Sequence, residues 1–398
     1  MSDIFPYGKP VTGEHLIGRD TFVKEVIALL KGGQSVILIS PRRYGKTSIL
    51  LEVLRRMRRE GYFVGSIDIF DVMNKTELAE KIVVTTLKNR AISGEKLIAL
   101  AKKGIQKLRE SVELKYVSDE GFEIILDFAG GSEQGTLIDE ALDFPDAFSK
   151  HHKHKMIFAY DEFSDLEKMN GDLLKKMRAK FQHHAQATYI FSGSQESTMT
   201  RLFSDKKSAF YGFGRVLTLP KISSKDFIAY ILRTFKEQKI IISVDVAEDI
   251  IIKTGCHPYY TQFVCQLLYY ELKGKKDAVT KEDVVDAYEH AIDLHRAYFD
   301  DLWQRLAHAS LLQLNICIYL ASGGNESLYS VFDERRQNIY HAMQSLIEKG
   351  VIFKDNDKLF HVIDPLFKDY INTRRGTFEL GKNLQRIQNG STKGSKIN

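Results

Sequence analysis

The sequence predicts an α/β fold, a parallel sheet flanked by helices, followed by an all-α region and a small module of helices and a hairpin. Three observations carry this. Short, continuous apolar and β-branched runs recur at 35–40, 62–70, 155–163 and 187–194, the pattern of strands buried on both faces of a parallel sheet. The first two runs enclose a periodic, Arg-rich segment closed by Gly61, so strand, loop, helix and strand form a βαβ unit whose right-handed crossover sets the strands parallel. From Ser223 to about Ile292 only helical patterns and turns remain, so the period of the chain changes there. At 398 residues the chain exceeds one ordinary hydrophobic core, and more than one domain is expected.

Taken in order, TFVKEVIALLK at 21–31 follows Asp20, a good N-cap, and spaces its apolar residues as a helix does. SVILIS is the first strand and leads through PRRYGKT into the helix SILLEVLRRMRREG, with YFVGSIDIF as the second strand. Residues 77–112 read as helical with a basic surface, 113–128 as a hairpin around Asp119, Glu120 and Gly121, and 129–136 as a loop. The core resumes with KMIFAYDEF, a helix to about 185, and ATYIFSGS. Helical patterns in SLLQLNICIYLA, SLYSVFD and RQNIYHAMQSLIEKG, then a hairpin around Asn356 and Asp357, suggest a winged helix. The expected domains are 1–219, 220–294 and 295–376, with a polar, disordered tail at 377–398.

Composition excludes several classes. Apolar residues at 43% and charged residues at 27% are globular values, so a rod, a collagen-like repeat and a disordered chain are set aside. The net charge of +5 is concentrated after Gly381, where Lys382, Arg386, Lys393 and Lys396 stand without an acid, so bulk charge argues only weakly for nucleic acid. Cys256, Cys265 and Cys317 have no metal-ligand spacing and read as buried free thiols. No window approaches the roughly 18 apolar residues that cross a bilayer, and MSDIFPYGKP lacks a leader pattern. A cytoplasmic protein with no membrane partner is expected.

The chemistry centres on Ser40-Pro41-Arg42-Arg43-Tyr44-Gly45-Lys46-Thr47, between a strand and a helix, which is the context of a phosphate-binding loop. Successive N–H groups and the positive helix end would cradle phosphates, Lys46 would neutralise β and γ oxygens, and Thr47 would ligate Mg²⁺, with Ser48 next in the loop. Ser40 stands where the pattern has Gly, and Ser costs more at positive φ. Asp161 and Glu162 close the run MIFAYDE at the C-terminal edge of a strand, where open α/β sheets bind ligands. Asp161 would hold Mg²⁺ through its water shell, and Glu162 would orient or deprotonate the attacking water. Alone, such a pair could equally cap the next helix; with the GKT loop at the usual separation it reads as catalytic. Ser194 and Ser192 either reach the γ-phosphate or water, or form a plain turn. Arg215 after Gly212-Phe213-Gly214 is an arginine finger on its own or a neighbour's nucleotide, the latter requiring a homo-oligomer, or a surface arginine. His257 and Pro258 after Gly255 are a lid contact to nucleotide or an ordinary helix start.

These residues resemble the archaeal-type ATPases of the AAA+/STAND class of P-loop proteins. The resemblance covers about 10–375 and is carried by Leu16-Ile17-Gly18-Arg19, PRRYGKTS, YDEF, FSGS, YGFGR, Gly255-Cys256-His257-Pro258-Tyr259-Tyr260 and Asp364-Pro365-Leu366-Phe367. It implies a P-loop NTPase core, an all-α lid and a winged-helix domain, with ATP or ADP and Mg²⁺ as cofactors, Ile17 and Gly18 near the adenine, and Gly255, His257 and Pro258 sensing nucleotide. In that class ATP binding and hydrolysis toggle the lid and winged helix against the core, a switch that acts on a partner the resemblance does not supply.

Two rivals follow from the residues. In one, the winged helix reads duplex DNA through Arg335, Arg336, Asn338 and His341, with Lys354 and Lys358 at the wing, although Asp333, Glu334, Asp355 and Asp357 dilute that charge. In the other, the loop serves a small-molecule kinase; Glu162 beside Asp161 suits water activation better, and no separate acceptor pocket is visible. The absence of an NKxD run and the resemblance both favour adenine over guanine.

Overall fold

The computed structural model describes residues 4–89, 112–118, 121–126, 134–169, 172–275, 277–355 and 358–374. The expected disordered tail, the tips of both expected hairpins and most of the basic helical stretch after Lys88 lie outside the described residues. The chain divides into two compact units, Pro10–Pro220 and Met1–Lys9 with Lys221–Asn398.

In the first unit α1 (Asp20–Lys31), β1 (Val36–Ile39), α2 (Lys46–Arg59), β2 (Phe63–Asp68) and α3 (Lys75–Leu87) are followed by an antiparallel pair, β3 (Val112–Ser118) and β4 (Gly121–Leu126). Then come α4 (Gln134–His152), β5 (Met156–Asp161), α5 (Asp172–Phe181), β6 (Ala187–Gly193), α6 (Glu196–Ser204) and β7 (Arg215–Thr218). The five core strands lie in the order β2-β5-β6-β1-β7, all parallel.

Both faces of that sheet are covered, which is why its strands read as unbroken apolar runs. Alternate residues go to opposite sides: Ile37, Ile39, Phe158, Tyr160, Tyr189 and Phe191 join one core with residues of α3, α4 and α5. Val36, Leu38, Ile157, Ala159 and Ile190 join the other with α1 and α2. The first core is built on rings, with Phe181 on Tyr189 at 4.1 Å and Tyr160 nearly parallel to Phe191. Such offset pairs add about 0.5–1.5 kcal/mol each beyond area burial.

Two expectations are corrected here. Residues 134–136, read as loop, begin α4, which runs on through Pro145. The helix expected to about 185 is instead a 3₁₀ segment, Phe163–Met169, and then α5.

The second unit holds α7 (Ser224–Glu237), α8 (Val244–Thr254), α9 (Pro258–Leu272), α10 (Lys281–Leu294) and α11 (Arg296–Ala309). After these come α12 (Leu311–Ala321), α13 (Leu328–Val331), α14 (Arg336–Glu348), the antiparallel pair β8 (Ile352–Lys354) and β9 (Phe360–Val362), and a closing helix at 365–374. Three helices and a hairpin are the element order of a winged helix. Starts are set locally: Ser223 Oγ accepts from Asp226 N–H, Thr280 and Asp283 form a capping box, and Pro258 takes the first turn of α9. The first residues, expected in the core, belong instead to this unit, because Phe5 is fully buried against Tyr230 and Phe235.

Candidate functional site

The site forms where β1, β5 and β6, adjacent through β6, end at the same edge of the sheet. Each strand delivers its polar residues only after its last apolar one, so the sheet's register brings together residues distant in sequence.

After β1 the loop turns through Arg43 at φ 62° and Gly45 at φ 91° before α2 begins at Lys46. Left-handed residues within a turn are the backbone geometry by which successive main-chain N–H groups can line an anion-binding concavity. Ser40, by contrast, takes no positive φ; the loop accommodates it fully buried, so the departure from Gly carries no backbone cost. The Lys46 side chain folds back and donates to the carbonyls of Ser40 at 2.8 Å and Pro41 at 3.1 Å. Burial lowers its pKa, opposed by the carboxylates of Glu162, Asp161 and Glu196.

From β5, Asp161 is buried and accepts from Thr47 Oγ1 at 2.7 Å on one oxygen and from Ser192 Oγ at 2.7 Å on the other. Ser192 thus aligns Asp161 across the strand pair. Glu162 follows at φ 49°, a left-handed backbone that costs a non-glycine residue about 1–2 kcal/mol and turns its carboxylate onto Ser194, whose N–H and Oγ both donate to it at 2.9 and 2.8 Å. Gly193 lies between the serines, and a Cβ there would lie 2.7 Å from Met199 Sδ, so a larger residue would have to displace that side chain.

Of the other predicted residues, Pro41, Arg42 and Tyr44 lie in the loop with Gly45, Tyr44 buried and Arg42 exposed. Ser48 turns its hydroxyl away from the loop to accept Val11 N–H at 3.0 Å. Ile17 is buried and Gly18 takes φ 60°. Arg19 is buried and directs its guanidinium at two main-chain carbonyls, those of Pro220 and Tyr44. Burial brings its pKa down to about 10, still charged at neutral pH. Its side chain therefore braces the loop.

Arg215 is a correction for its own nucleotide. It opens β7 opposite Val36, the first residue of β1, and its N–H donates to Ser35 at 2.8 Å. In a parallel sheet the start of one strand lies beside the start of the next, so Arg215 sits at the edge opposite the phosphate loop. His257 and Pro258 lie in the second unit, where buried His257 is the N-cap of α9 and Pro258 its first residue.

Two acids were missed. Asp68 ends β2 directly across from Asp161, and burial raises its pKa, with Asp161 adding to the rise. Glu196 opens α6 beside Lys46; burial raises its pKa and Lys46 draws it back. The signal for Asp68 was present, since the run FVGSID, like MIFAYD, carries an acid at its C-terminal end.

No protein-family model matches the sequence and no curated protein matches it; solved structures do. The Walker-type ATPase PABY2304 of Pyrococcus abyssi matches with a TM-score of 0.64 at 16% identity, over 93% of this chain and 100% of that one. The ORC2 protein of Aeropyrum pernix, in its ADPNP-ADP complexes, matches at 0.54 and 12% identity over 94% and 98%, and its ADP form at 0.52 and 12% over 95% and 97%. Fold is what such identities share: an AAA+-like parallel sheet flanked by helices, followed along the chain by a helical region. The likeness to archaeal-type ATPases expected from the motifs is thus present across the described fold. Among the described residues no group of His, Cys, Asp and Glu has the arrangement of a metal cluster, and no helix is long and apolar enough to cross a membrane.

Proposed function

We propose that the chain binds and hydrolyses ATP as a slow molecular switch of the AAA+/STAND type. The observation that carries this reading is Asp161 held between Thr47 and Ser192, with Glu162 beside it, at the strand edge where the loop opens. The ADPNP and ADP of the ORC2 structure support a nucleotide in such a fold.

The residues then divide the work. N–H groups of the loop and the start of α2 bind the triphosphate, and Lys46 exchanges its two carbonyl acceptors for phosphate oxygens. Thr47 and Asp161 form a set of hard oxygen donors of the kind Mg²⁺ takes; when bound there the ion would neutralise charge on the β and γ phosphates. Glu162 accepts a proton from the water that attacks the γ-phosphorus as the bond to the β,γ-bridging oxygen breaks, giving ADP and phosphate. Before it can do so its carboxylate must leave Ser194, which accounts for slow turnover without a partner. In this reading 220–294 acts as a lid and 295–376 as the winged helix that presents the nucleotide state, while Arg215 serves the site of a neighbouring copy.

The test is Mg²⁺-dependent turnover of the wild type against Glu162→Gln, with ATP binding measured in parallel. Turnover is expected to fall about 10²-fold or more while binding persists. Failure of monodisperse wild type to bind ATP overturns the reading.

One observation favours a second reading, duplex DNA as the partner. Arg335, Arg336, Asn338, Tyr340 and His341 are all exposed at the start of α14, the helix that would enter a groove. Failure to shift a pool of duplexes at low salt removes it.

A further inference from the structure

Two motifs that the mechanism leaves idle meet in the second unit. Gly255-Cys256-His257-Pro258-Tyr259-Tyr260 leads into α9, and Asp364-Pro365-Leu366-Phe367 leads into the closing helix. Across 104 residues of chain, the Tyr260 hydroxyl donates to Asp364 Oδ2. The other oxygen of Asp364 accepts from Phe367 N–H at 3.0 Å and so caps the closing helix. The carboxylate that starts this helix is therefore the one that ties it to α9.

A second tie follows one turn later. Pro365 and Asp369 are four residues apart and share a face; the Tyr288 hydroxyl of α10 lies 2.7 Å from Asp369 Oδ2 and 3.5 Å from the Pro365 carbonyl. Tyr260 is 1% exposed and Tyr288 4%, so both phenols meet carboxylates where water competes little and such bonds are strong. Burial first, and Asp369 next, push the Tyr288 phenol well above its ordinary range, which keeps it a donor. Rings continue the contact: Tyr260 meets His295 at 5.8 Å, His295 stacks on Phe299 at 5.7 Å, and Phe299 meets Phe367 at 5.5 Å. The same helix is held to the winged-helix region, where Asn372 Nδ2 donates to the Ala321 carbonyl of α12 at 3.2 Å.

The chemistry of the ties matters. Apolar contact is non-directional and lets one surface slide on another, whereas a hydroxyl on a carboxylate is lost with a small change of distance or angle. Two such bonds, to two different helices and one turn apart on the closing helix, fix both its position and its rotation.

We infer that Tyr260 and Tyr288 lock the closing helix to α9 and α10, so that 295–374 answers the nucleotide as one body with 220–294 and not as a separately hinged module. This rests on the nucleotide-driven reading above, and it gives Tyr260 a task that needs no contact with the nucleotide.

The experiment follows hydrogen exchange of the full chain with and without Mg-ADPNP in wild type, Tyr288→Phe and the double variant Tyr260→Phe with Tyr288→Phe, with nucleotide affinity measured by calorimetry. In wild type the ligand is expected to change exchange in both 224–294 and 336–354. In the double variant the change in 224–294 persists, the change in 336–354 is lost, and affinity is unchanged. A response at 336–354 that survives in the double variant, or a wild type that binds Mg-ADPNP with no change there, overturns the inference. Wild type that binds no nucleotide would instead sink the nucleotide-binding reading. The lock is then decided by the unfolding equilibria of Tyr288→Phe, Asp369→Ala and both together, where a coupling of about fivefold is expected and additive effects overturn it. That cycle also decides should the double tyrosine variant not fold.

Discussion

The two ends of the parallel sheet are built from the same strands and do opposite things. Where the strands end, Lys46, Thr47, Asp161, Glu162, Ser192 and Ser194 converge, and each polar atom is held by another at 2.7–3.1 Å. Where the strands begin, the polar groups serve packing. Tyr189 stacks on Phe181 and meets His184 Nδ1 at 2.5 Å, His184 Nε2 meets Asp143 at 3.1 Å, and Lys180 closes on Asp143 at 2.5 Å. That chain ties β6 to α4 and α5 and has no ligand to wait for. On the proposed reading, the hydrogen bonds of the first end are ones a nucleotide would replace, whereas those of the second join β6 to its flanking helices.

The comparison breaks first at Asp161. Asp161→Asn is expected to lower Mg²⁺-dependent turnover about 10³-fold and to leave the melting temperature near that of the wild type; a large loss of stability would mean Asp161 is structural after all. At the other end Tyr189→Phe leaves His184 Nδ1 without its partner and should cost about 1–3 kcal/mol in chemical unfolding, with turnover per folded molecule unchanged. A fall in that turnover would show that the far end reaches the site.

Acid sharpens the contrast. Glu52 is held down to about 2, chiefly by its hydrogen bonds from Arg55, against an ordinary 4.5. A depressed carboxylate contributes stability that is fully present above its unfolded value and is lost as pH falls through the folded one. The stability of wild type over Glu52→Gln should therefore narrow between pH of about 4.5 and about 2; a constant gap would mean the charge of Glu52 contributes nothing. Smallest of all, Ser194→Ala removes one of two donors to Glu162 and should raise turnover several-fold; a fall would mean that the serine does not restrain the carboxylate.

Much of this was legible in the residues. Strands covered on both faces announce themselves as unbroken apolar runs, and a loop of PRRYGKT between strand and helix has few other meanings. Pairing of Asp161 with Thr47 could be expected because both follow strands of one parallel sheet. Other features were hidden for physical reasons. Helix α4 contains Pro145 and begins in a glycine-containing stretch, so its pattern reads as a break. Glu52 looks like a surface acid on an Arg-rich helix, and its partner Gly13 is 39 residues away. Arg215 was misplaced for its own nucleotide because order along the chain was taken for position on the sheet: it opens its strand, whereas the residues of the site close a strand or follow one.

Lys46 has a consequence of its own. An ammonium group that already donates hydrogen bonds to two carbonyls, in a pocket that lowers its pKa by burial, surrenders those acceptors only to an oxygen that holds more charge than a peptide does. On the nucleotide-binding reading proposed above, a triphosphate would meet that condition, and the folded-back side chain would then set a threshold on the charge of the anion that the loop accepts.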